Sequence, residues 1–207
     1  MYLVTDGPLC LGRNIIEVVK EAVAGGVTVV QLREKEASAR KLLCLGSELQ
    51  AFLKERRIPL IVNDRVDIAR ALDVDGVHLG NNDMPIGLAR EILGPDKIIG
   101  LSAESVEEAE SADQMGADYI GVSPVFTTPT KPELETGLGF EGLRRIRETT
   151  SLPLVAIGGM NASNSRLAIQ NGADGVAVVS AICSAENPET AARAILEEVR
   201  KGRALRA

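Results

Sequence analysis

Short apolar segments rich in β-branched residues recur along the chain, and each is followed by a segment whose apolar residues have helical spacing. Most of the short segments are apolar at successive positions, which is typical of parallel strands covered on both faces. Eight segments are predicted to be strands: Tyr2–Thr5, Val27–Leu32, Pro59–Val62, Gly76–Leu79, Lys97–Leu101, Tyr119–Val122, Pro153–Ile157 and Gly175–Val179. The segments that follow them are predicted to be helices: Asn14–Ala24, Ala39–Lys54, Val66–Leu72, Pro85–Leu93, Val106–Met115, Phe140–Glu148, Ser165–Asn171 and Pro188–Lys201.

This alternation predicts an α/β fold, a (β/α)₈ TIM barrel that forms one catalytic domain over residues 1–207. A doubly wound open sheet is the alternative, but it usually has fewer strands, and no GxGxxG sequence follows the first strand. Ser38, Ser105 and Ser163 stand before predicted helices and are expected to cap them. Glu108 follows Ser105 at the spacing of a capping box.

Composition narrows the classes of partner. Lys and Arg total 23 against 29 Asp and Glu, so the net charge of −6 lacks the basic excess that nucleic-acid and membrane-surface binders need. The three cysteines form no CxxC pair, which favours a reduced, cytoplasmic compartment over a disulfide framework or a zinc site. No signal sequence or membrane-spanning segment is evident. We therefore expect small-molecule substrates, no nucleic acid and no membrane, while a homo-oligomer stays open.

Polar residues at the carboxyl ends of the strands are the candidate site residues, because active sites of such barrels lie there. Gln31, Arg33 and Lys35 alternate and are expected to point the same way, either as a phosphate clamp or as a simple ion pair. Asp64 and Asp83 follow neighbouring strands, and their carboxylates would suit Mg²⁺. The alternative for Asp64 is a cap for the helix that follows it.

Small residues stand at the ends of the seventh and eighth strands. Gly158–Gly159 and Val179–Ser180 predict a phosphate site built from backbone N–H groups, with ordinary turn chemistry as the alternative. His78 is the only histidine, and its apolar surroundings in GVHLG favour a hydrogen-bonded barrel residue over a catalytic one. The connection Ser123–Gly139 is long enough to be a functional loop.

In this order and spacing, the strand ends resemble the thiamine phosphate synthase family. The matching segments are YLVTD at 2–6, VQLREK at 30–35, VNDR at 62–65, DGVHLGNND at 75–83, GLSA at 100–103, GADYIGVSPVF at 116–126, TPTK at 128–131, IGGM at 157–160 and GADGVAVVSAI at 172–182. The chain departs from the family at Asn81, Glu104 and Ser123, where Gln, His and Gly are frequent. Glu104 matters most because it places an acid beside an anionic ligand site.

The resemblance implies a transferase that joins 4-amino-2-methyl-5-hydroxymethylpyrimidine diphosphate to 4-methyl-5-(2-hydroxyethyl)thiazole phosphate. Thiamine phosphate forms and pyrophosphate leaves in a Mg²⁺-assisted dissociative substitution. The implied catalytic residues are Arg33, Lys35 and Lys131, and one Mg²⁺ per subunit would be held by Asp64 and Asp83. The residues implied for the diphosphate are Gln31, Leu32, Arg33, Glu34, Lys35, Asn63, Ser102 and Lys131. Those implied for the thiazole phosphate are Thr128, Pro129, Thr130, Gly159, Val179 and Ser180.

Two other functions stay open on the same barrel. A thiazole tautomerase-like isomerase would keep the phosphate end of the site but would not need the two aspartates or the TPTK segment. A non-catalytic sensor of phosphorylated ligands would bind without releasing pyrophosphate.

Overall fold

The strands form a closed parallel barrel in chain order in a computed structural model, which describes residues 1–127 and 137–206. They are β1 Tyr2–Val4, β2 Val29–Leu32, β3 Leu60–Asn63, β4 Gly76–Leu79, β5 Ile98–Ala103, β6 Tyr119–Val122, β7 Leu154–Ala156 and β8 Gly175–Val178. Because β8 pairs with β1, the sheet has no edge. The predicted barrel is confirmed, and the open sheet is excluded.

Helices surround the barrel at the predicted places. They are α1 Ile15–Ala24, α2 Ala39–Lys54, α3 Val66–Leu72, α4 Ile86–Leu93, α5 Val106–Gln114, α6 Gly139–Thr149, α7 Ser165–Gln170, α8 Ser180–Cys183 and α9 Pro188–Arg206. The four-residue helix α8 and a 3₁₀ helix at Pro8–Cys10 were not predicted, since neither is long enough to show a helical period. Within the described ranges, no helix has the length and apolar character that crossing a membrane requires.

Two of the three predicted serine caps are present. The Ser38 side chain accepts a hydrogen bond from the Lys41 N–H at 3.3 Å, and that of Ser105 accepts one from the Glu108 N–H at 3.2 Å. The Glu108 carboxylate accepts from the Glu104 N–H at 2.7 Å, one residue earlier than a capping box requires. These bonds satisfy backbone donors that the first turn of each helix leaves without a partner.

The prediction that Ser163 caps a helix is wrong. Asn164 occupies the position before α7, and no side-chain cap is present there. The Ser163 N–H and hydroxyl instead donate to the side-chain oxygen of Asn161, at 2.8 and 2.6 Å. Asn161 therefore holds a local turn that competes with serine capping.

Two rings share the barrel interior above a glycine. Strand register places Gly100 between His78 on β4 and Tyr119 on β6. The His78 and Tyr119 rings stack, with centroids 5.4 Å apart and an interplanar angle of 29°. A Cβ at position 100 would overlap the Tyr119 ring, and one on Gly121 would lie 3.0 Å from Cε1 of His78. Both positions therefore make room for the stack by lacking a side chain.

We expect Gly100→Ala to lower the free energy of unfolding by about 1–3 kcal/mol, because the added methyl displaces a buried ring in a packed core. Urea unfolding monitored by circular dichroism measures this change. Gly87→Ala is the matched control, since Gly87 is exposed on α4 and a Cβ there would have no heavy atom within 4 Å. That variant should be unchanged or more stable by up to about 1 kcal/mol. An equal loss in both variants would contradict the steric argument.

Candidate active site

The carboxyl ends of the strands surround a cavity of about 830 Å³. That volume falls within the range of small-molecule sites. The residues predicted from the sequence that line it are Gln31, Arg33, Lys35, Asn63, Asp64, Asp83, Ser102, Gly159, Val179 and Ser180. The barrel thus brings together residues that are up to about 150 positions apart in the chain, because all its strands point the same way.

Two residues of the second strand end do not line the cavity with the others. Leu32 is 1% exposed and packs in the hydrophobic core outside the barrel interior. The Glu34 carboxylate accepts hydrogen bonds from the Thr5 hydroxyl and the Gly7 N–H, both at 3.1 Å, and burial raises its pKa. Alternation along the strand sends these side chains away from the face that carries Arg33. The structure therefore does not bring these two side chains into the cavity lining, and the prediction that Leu32 and Glu34 bind the diphosphate stays a prediction.

Four predicted residues lie outside the described residues: Thr128, Pro129, Thr130 and Lys131. The same is true of most of the predicted loop between Ser123 and Gly139.

Asp6, which follows β1, forms an ion pair with Arg33, which follows β2. The Arg33 guanidinium lies 3.2 Å from the carboxylate of Asp6, and each side chain is 17% exposed. The backbone N–H of Arg33 donates a hydrogen bond to the Thr5 hydroxyl at 2.9 Å. The sequence reasoning missed this role of Asp6, although its place at a strand end was a signal. The pairing orients Arg33 at the cavity wall.

The carboxyl group of Asp83 lies near enough to that of Asp64 to influence its ionisation, as their places on neighbouring strands predict. Burial raises the pKa of Asp64 to about 6, the Asp83 carboxyl adds to the rise, and Lys35 and Arg33 oppose it. Asp83 also accepts a hydrogen bond from the Gly80 N–H at 2.7 Å. The helix-cap alternative for Asp64 is wrong, because Arg65 occupies the cap position before α3.

This aspartate pair fits a hard divalent cation. Two neighbouring half-buried carboxylates repel each other when both are ionised, and a cation between them removes that repulsion. In residues 1–127 and 137–206, no three His, Cys, Asp or Glu side chains gather closely enough to hold a metal ion. A Mg²⁺ here would therefore complete its coordination with water and with substrate oxygens, as Mg²⁺ commonly does.

A continuous row of hydrogen bonds crosses the barrel interior along the cavity lining. Nε2 of Gln31 donates to the Tyr2 hydroxyl at 2.8 Å, and the Tyr2 and Tyr119 hydroxyls are 2.9 Å apart. The Tyr119 hydroxyl is 2.9 Å from Nδ1 of His78, and Nε2 of His78 is 3.0 Å from the Ser102 hydroxyl. The predicted hydrogen-bonded barrel histidine is therefore confirmed, and it also lines the cavity.

Both phenols of this row keep their protons near neutral pH. Burial raises the pKa of Tyr2 to about 12 and that of Tyr119 well above its usual value. Sequence reasoning did not select either tyrosine. The available signal was a hydroxyl-bearing ring inside an otherwise apolar strand, since a buried hydroxyl requires a partner.

The backbone at the seventh strand end approaches the cavity closely. Gly158 and Gly159 have φ values of 96° and 65°, in the left-handed region that favours glycine. A Cβ on Gly159 would lie 2.9 Å from Cβ of Phe126. The first residue of α8, Ser180, lines the same cavity from the neighbouring strand end. This end of the cavity thus presents main chain, in contrast to the charged end at Arg33.

One wall of the cavity is acidic. Glu104, whose orientation the sequence does not indicate, lines the cavity together with Glu108. An anionic ligand would be repelled by this wall and attracted by Arg33 and Lys35. The charges therefore favour one orientation of a phosphorylated ligand.

The family follows from comparison with known proteins. Residues 1–182 match the family model described as thiamine monophosphate synthase. The chain belongs to the thiamine monophosphate synthase family. The thiamine-phosphate synthase of Syntrophomonas wolfei is 51% identical over 193 residues, which cover 93% of this chain and 92% of that protein. The Chloroflexus aurantiacus thiamine-phosphate synthase is 49% identical over 193 residues, covering 93% and 89%.

A solved structure agrees with this membership of the thiamine monophosphate synthase family. The thiamine phosphate pyrophosphorylase from Pyrococcus furiosus is 42% identical and superposes with a TM-score of 0.89, covering 97% of this chain and 95% of that one. The resemblance of the strand ends is confirmed. As a member of the thiamine monophosphate synthase family, the chain is an enzyme, a transferase of thiamine biosynthesis.

We expect Asp64→Asn to stabilise the chelator-treated protein at pH 7, because the folded-state pKa of about 6 lies above the usual 3.8. The folded protein binds that proton more tightly, so the stability it confers is full below pH 3.8 and is lost as the pH rises through 6. Discounted for partial exposure, the gain at pH 7 is about 1 kcal/mol, or about 2–4 °C in melting temperature.

Thermal unfolding between pH 4 and pH 8 tests this, and the gain should shrink towards about pH 4. Asp67→Asn is the control, because Arg65 lowers the pKa of the exposed Asp67. That variant should gain no stability at pH 7. A gain of Asp64→Asn that is the same at every pH would show that the buried charge is not its cause.

Proposed function

We propose that this enzyme joins 4-amino-2-methyl-5-hydroxymethylpyrimidine diphosphate to 4-methyl-5-(2-hydroxyethyl)thiazole phosphate, giving thiamine phosphate and pyrophosphate. One observation supports this most directly. One end of the cavity is lined by the cations Arg33 and Lys35 and the carboxylates Asp64 and Asp83. At the other end, Gly159 leaves the main chain open to a ligand. Such a cavity suits two phosphorylated ligands held end to end, with the larger charge at the cationic end.

The diphosphate is assigned to the end formed by β2, β3 and β4. Arg33 and Lys35 offer N–H donors to phosphate oxygens, and Asp6 orients the guanidinium. Gln31, Asn63 and Ser102 are assigned to the same ligand as neutral partners. Lys131 is assigned here on the family resemblance alone. A bound Mg²⁺, held by Asp64 and Asp83, would neutralise charge on the departing pyrophosphate.

The thiazole phosphate is assigned to the opposite end. Gly159 allows close approach of an anion to the main chain, and Val179 and Ser180 lie beside it at the start of α8. Thr128, Pro129 and Thr130 join this group on the resemblance alone. This assignment puts the thiazole ring between its own phosphate and the diphosphate.

The proposed chemistry requires charge stabilisation and orientation. The bond between the pyrimidine methylene carbon and the diphosphate oxygen breaks, and its electron pair leaves with pyrophosphate. The pyrimidine amino group stabilises the cation that forms, and the thiazole nitrogen then donates its lone pair to the methylene carbon. The nitrogen has no proton to lose, so no side chain must act as a base. Arg33 and Lys35 act where negative charge develops.

The paired aspartates favour this function over the alternatives. An isomerase acting on the thiazole phosphate alone would use the Gly159 end and would gain nothing from two repelling carboxylates beside Arg33 and Lys35. A sensor would retain binding without needing to stabilise a leaving group. A carboxyl group that burial makes costly to ionise, as it does for Asp64, is a candidate for a functional role.

We expect pyrophosphate to be released when both phosphorylated substrates are mixed with the protein and Mg²⁺, and release to stop on chelation. A coupled pyrophosphatase assay with phosphate detection measures it, and mass spectrometry identifies thiamine phosphate. Binding of both ligands without pyrophosphate would favour the sensor. Conversion of a thiazole phosphate tautomer without consumption of the pyrimidine diphosphate would favour the isomerase.

We expect Asp64→Asn and Asp83→Asn each to lower turnover at least about 100-fold, because the amide preserves shape but removes charge. Binding of the thiazole phosphate alone, measured by calorimetry, should change little because it is assigned to the Gly159 end. Asp67→Asn, an exposed change on α3, should keep parental turnover. An Asp83→Asn enzyme as active as the parent, or full turnover in chelator, would refute the metal assignment.

A further inference from the structure

The hydrogen bonds across the barrel interior have a direction. Each phenol keeps one proton and can therefore donate once. The Tyr2 hydroxyl accepts from Nε2 of Gln31, so its own proton goes to the other neighbour, the Tyr119 oxygen. Because the Tyr119 oxygen accepts that proton, we infer that Tyr119 donates its own proton to Nδ1 of His78, which is 2.9 Å away.

This direction determines which nitrogen of His78 carries the ring proton. With Nδ1 accepting from Tyr119, the neutral imidazole bears its proton on Nε2. That N–H donates to the Ser102 oxygen, 3.0 Å away. The Ser102 hydroxyl proton is then not used by His78, and it is available to a ligand in the cavity that Ser102 lines. In the opposite direction, Ser102 would donate to His78 and could only accept from a ligand.

We propose that Tyr119 is a positioning residue, which holds His78 as the Nε2–H tautomer and so makes the Ser102 hydroxyl a hydrogen-bond donor to the substrate. This rests on the proposed function in one respect, the assignment of Ser102 to the diphosphate. Diphosphate oxygens are ionised acceptors near neutral pH, so they bind a donor and are repelled by the lone pairs of a hydroxyl that donates elsewhere.

The packing shows that this row is built into the barrel. Gly100 and Gly121 leave the space that the Tyr119 and His78 rings fill. Across the described part of the chain, every buried side-chain polar atom has a hydrogen-bond partner. Because a partly satisfied buried network is costly, reversing one bond would require its neighbours to reverse too. The direction of the Tyr119–His78 bond thereby agrees with the donor that Gln31, on β2, presents to Tyr2.

The single histidine makes the tautomer directly measurable. In protein labelled with ¹⁵N-histidine, all ring nitrogen signals belong to His78. Long-range ¹H–¹⁵N spectra at a pH where the ring is neutral should show a protonated Nε2 and an unprotonated Nδ1. A protonated Nδ1 in the parent protein would overturn the proposal without any variant. This readout does not depend on turnover, so it separates the proposal from the proposed function.

Two phenylalanine substitutions distinguish the effect of the Tyr119 hydroxyl from the effect of losing another buried hydroxyl of the same row. Tyr119→Phe keeps the ring stack but removes the proton that Nδ1 accepts, so the spectrum should change to a mixture of tautomers. Tyr2→Phe removes the neighbouring hydroxyl but leaves Tyr119 able to donate, so the Nε2–H tautomer should persist. An unchanged spectrum in a folded Tyr119→Phe variant would also overturn the proposal.

Turnover then tests whether Tyr119 acts through Ser102. We expect Tyr119→Phe to lower kcat/KM about two- to tenfold, the range for one neutral hydrogen bond. In a double-mutant cycle, adding Tyr119→Phe to Ser102→Ala should cause no further loss. Independent, multiplying losses would refute the coupling. Pyrophosphate release absent even in the parent would refute the proposed function and leave the tautomer result standing.

Discussion

Closure of a parallel sheet on itself is the constraint on which the rest of this structure depends. Closure needs every strand to have two hydrogen-bonded neighbours, which the pairing of β8 with β1 completes. Since all strands run in one direction, their carboxyl ends surround one opening. The strands are covered by helices outside and packed side chains inside, so polar residues collect at those ends. The cavity with Arg33, Asp64 and Gly159 is the consequence.

The barrel interior is the exception to this division between apolar strands and polar ends. Five polar side chains form one hydrogen-bonded row there, and Gly100 and Gly121 provide its space. A buried hydroxyl without a partner costs about 1–3 kcal/mol, so each member depends on the next. The row thereby joins Gln31 on β2 to Ser102 on β5 through hydrogen bonds.

Electrostatic attraction in this protein is local. The chain carries a net charge of −6, and Glu104 and Glu108 add an acidic wall to the cavity. An anionic substrate must therefore be attracted by Arg33 and Lys35 at short range, where desolvation strengthens the interaction. The raised pKa of Asp64 shows that its negative charge is unfavourable in the folded protein unless a cation or a proton neutralises it. The ionised carboxylate therefore lowers the stability of the fold at the place where the proposed chemistry needs charge.

Features with a local cause could be predicted from the amino-acid order. The strands and long helices follow from hydrophobic periodicity, and the common direction of Gln31, Arg33 and Lys35 follows from the alternation of a strand. Contacts between distant residues could not be predicted. The Tyr2–Tyr119 bond joins residues 117 positions apart, and the place of Glu104 in the cavity lining depends on how β5 and α5 are connected. Asp64 has a left-handed backbone conformation, and its carboxyl group lies near Asp83 instead of capping a helix. This pairing also could not be predicted with certainty, because it joins residues from two strand ends. Such features arise only when the closed barrel brings separate strand ends within a few ångströms, because hydrogen bonds and buried charges act over that distance and not along the chain.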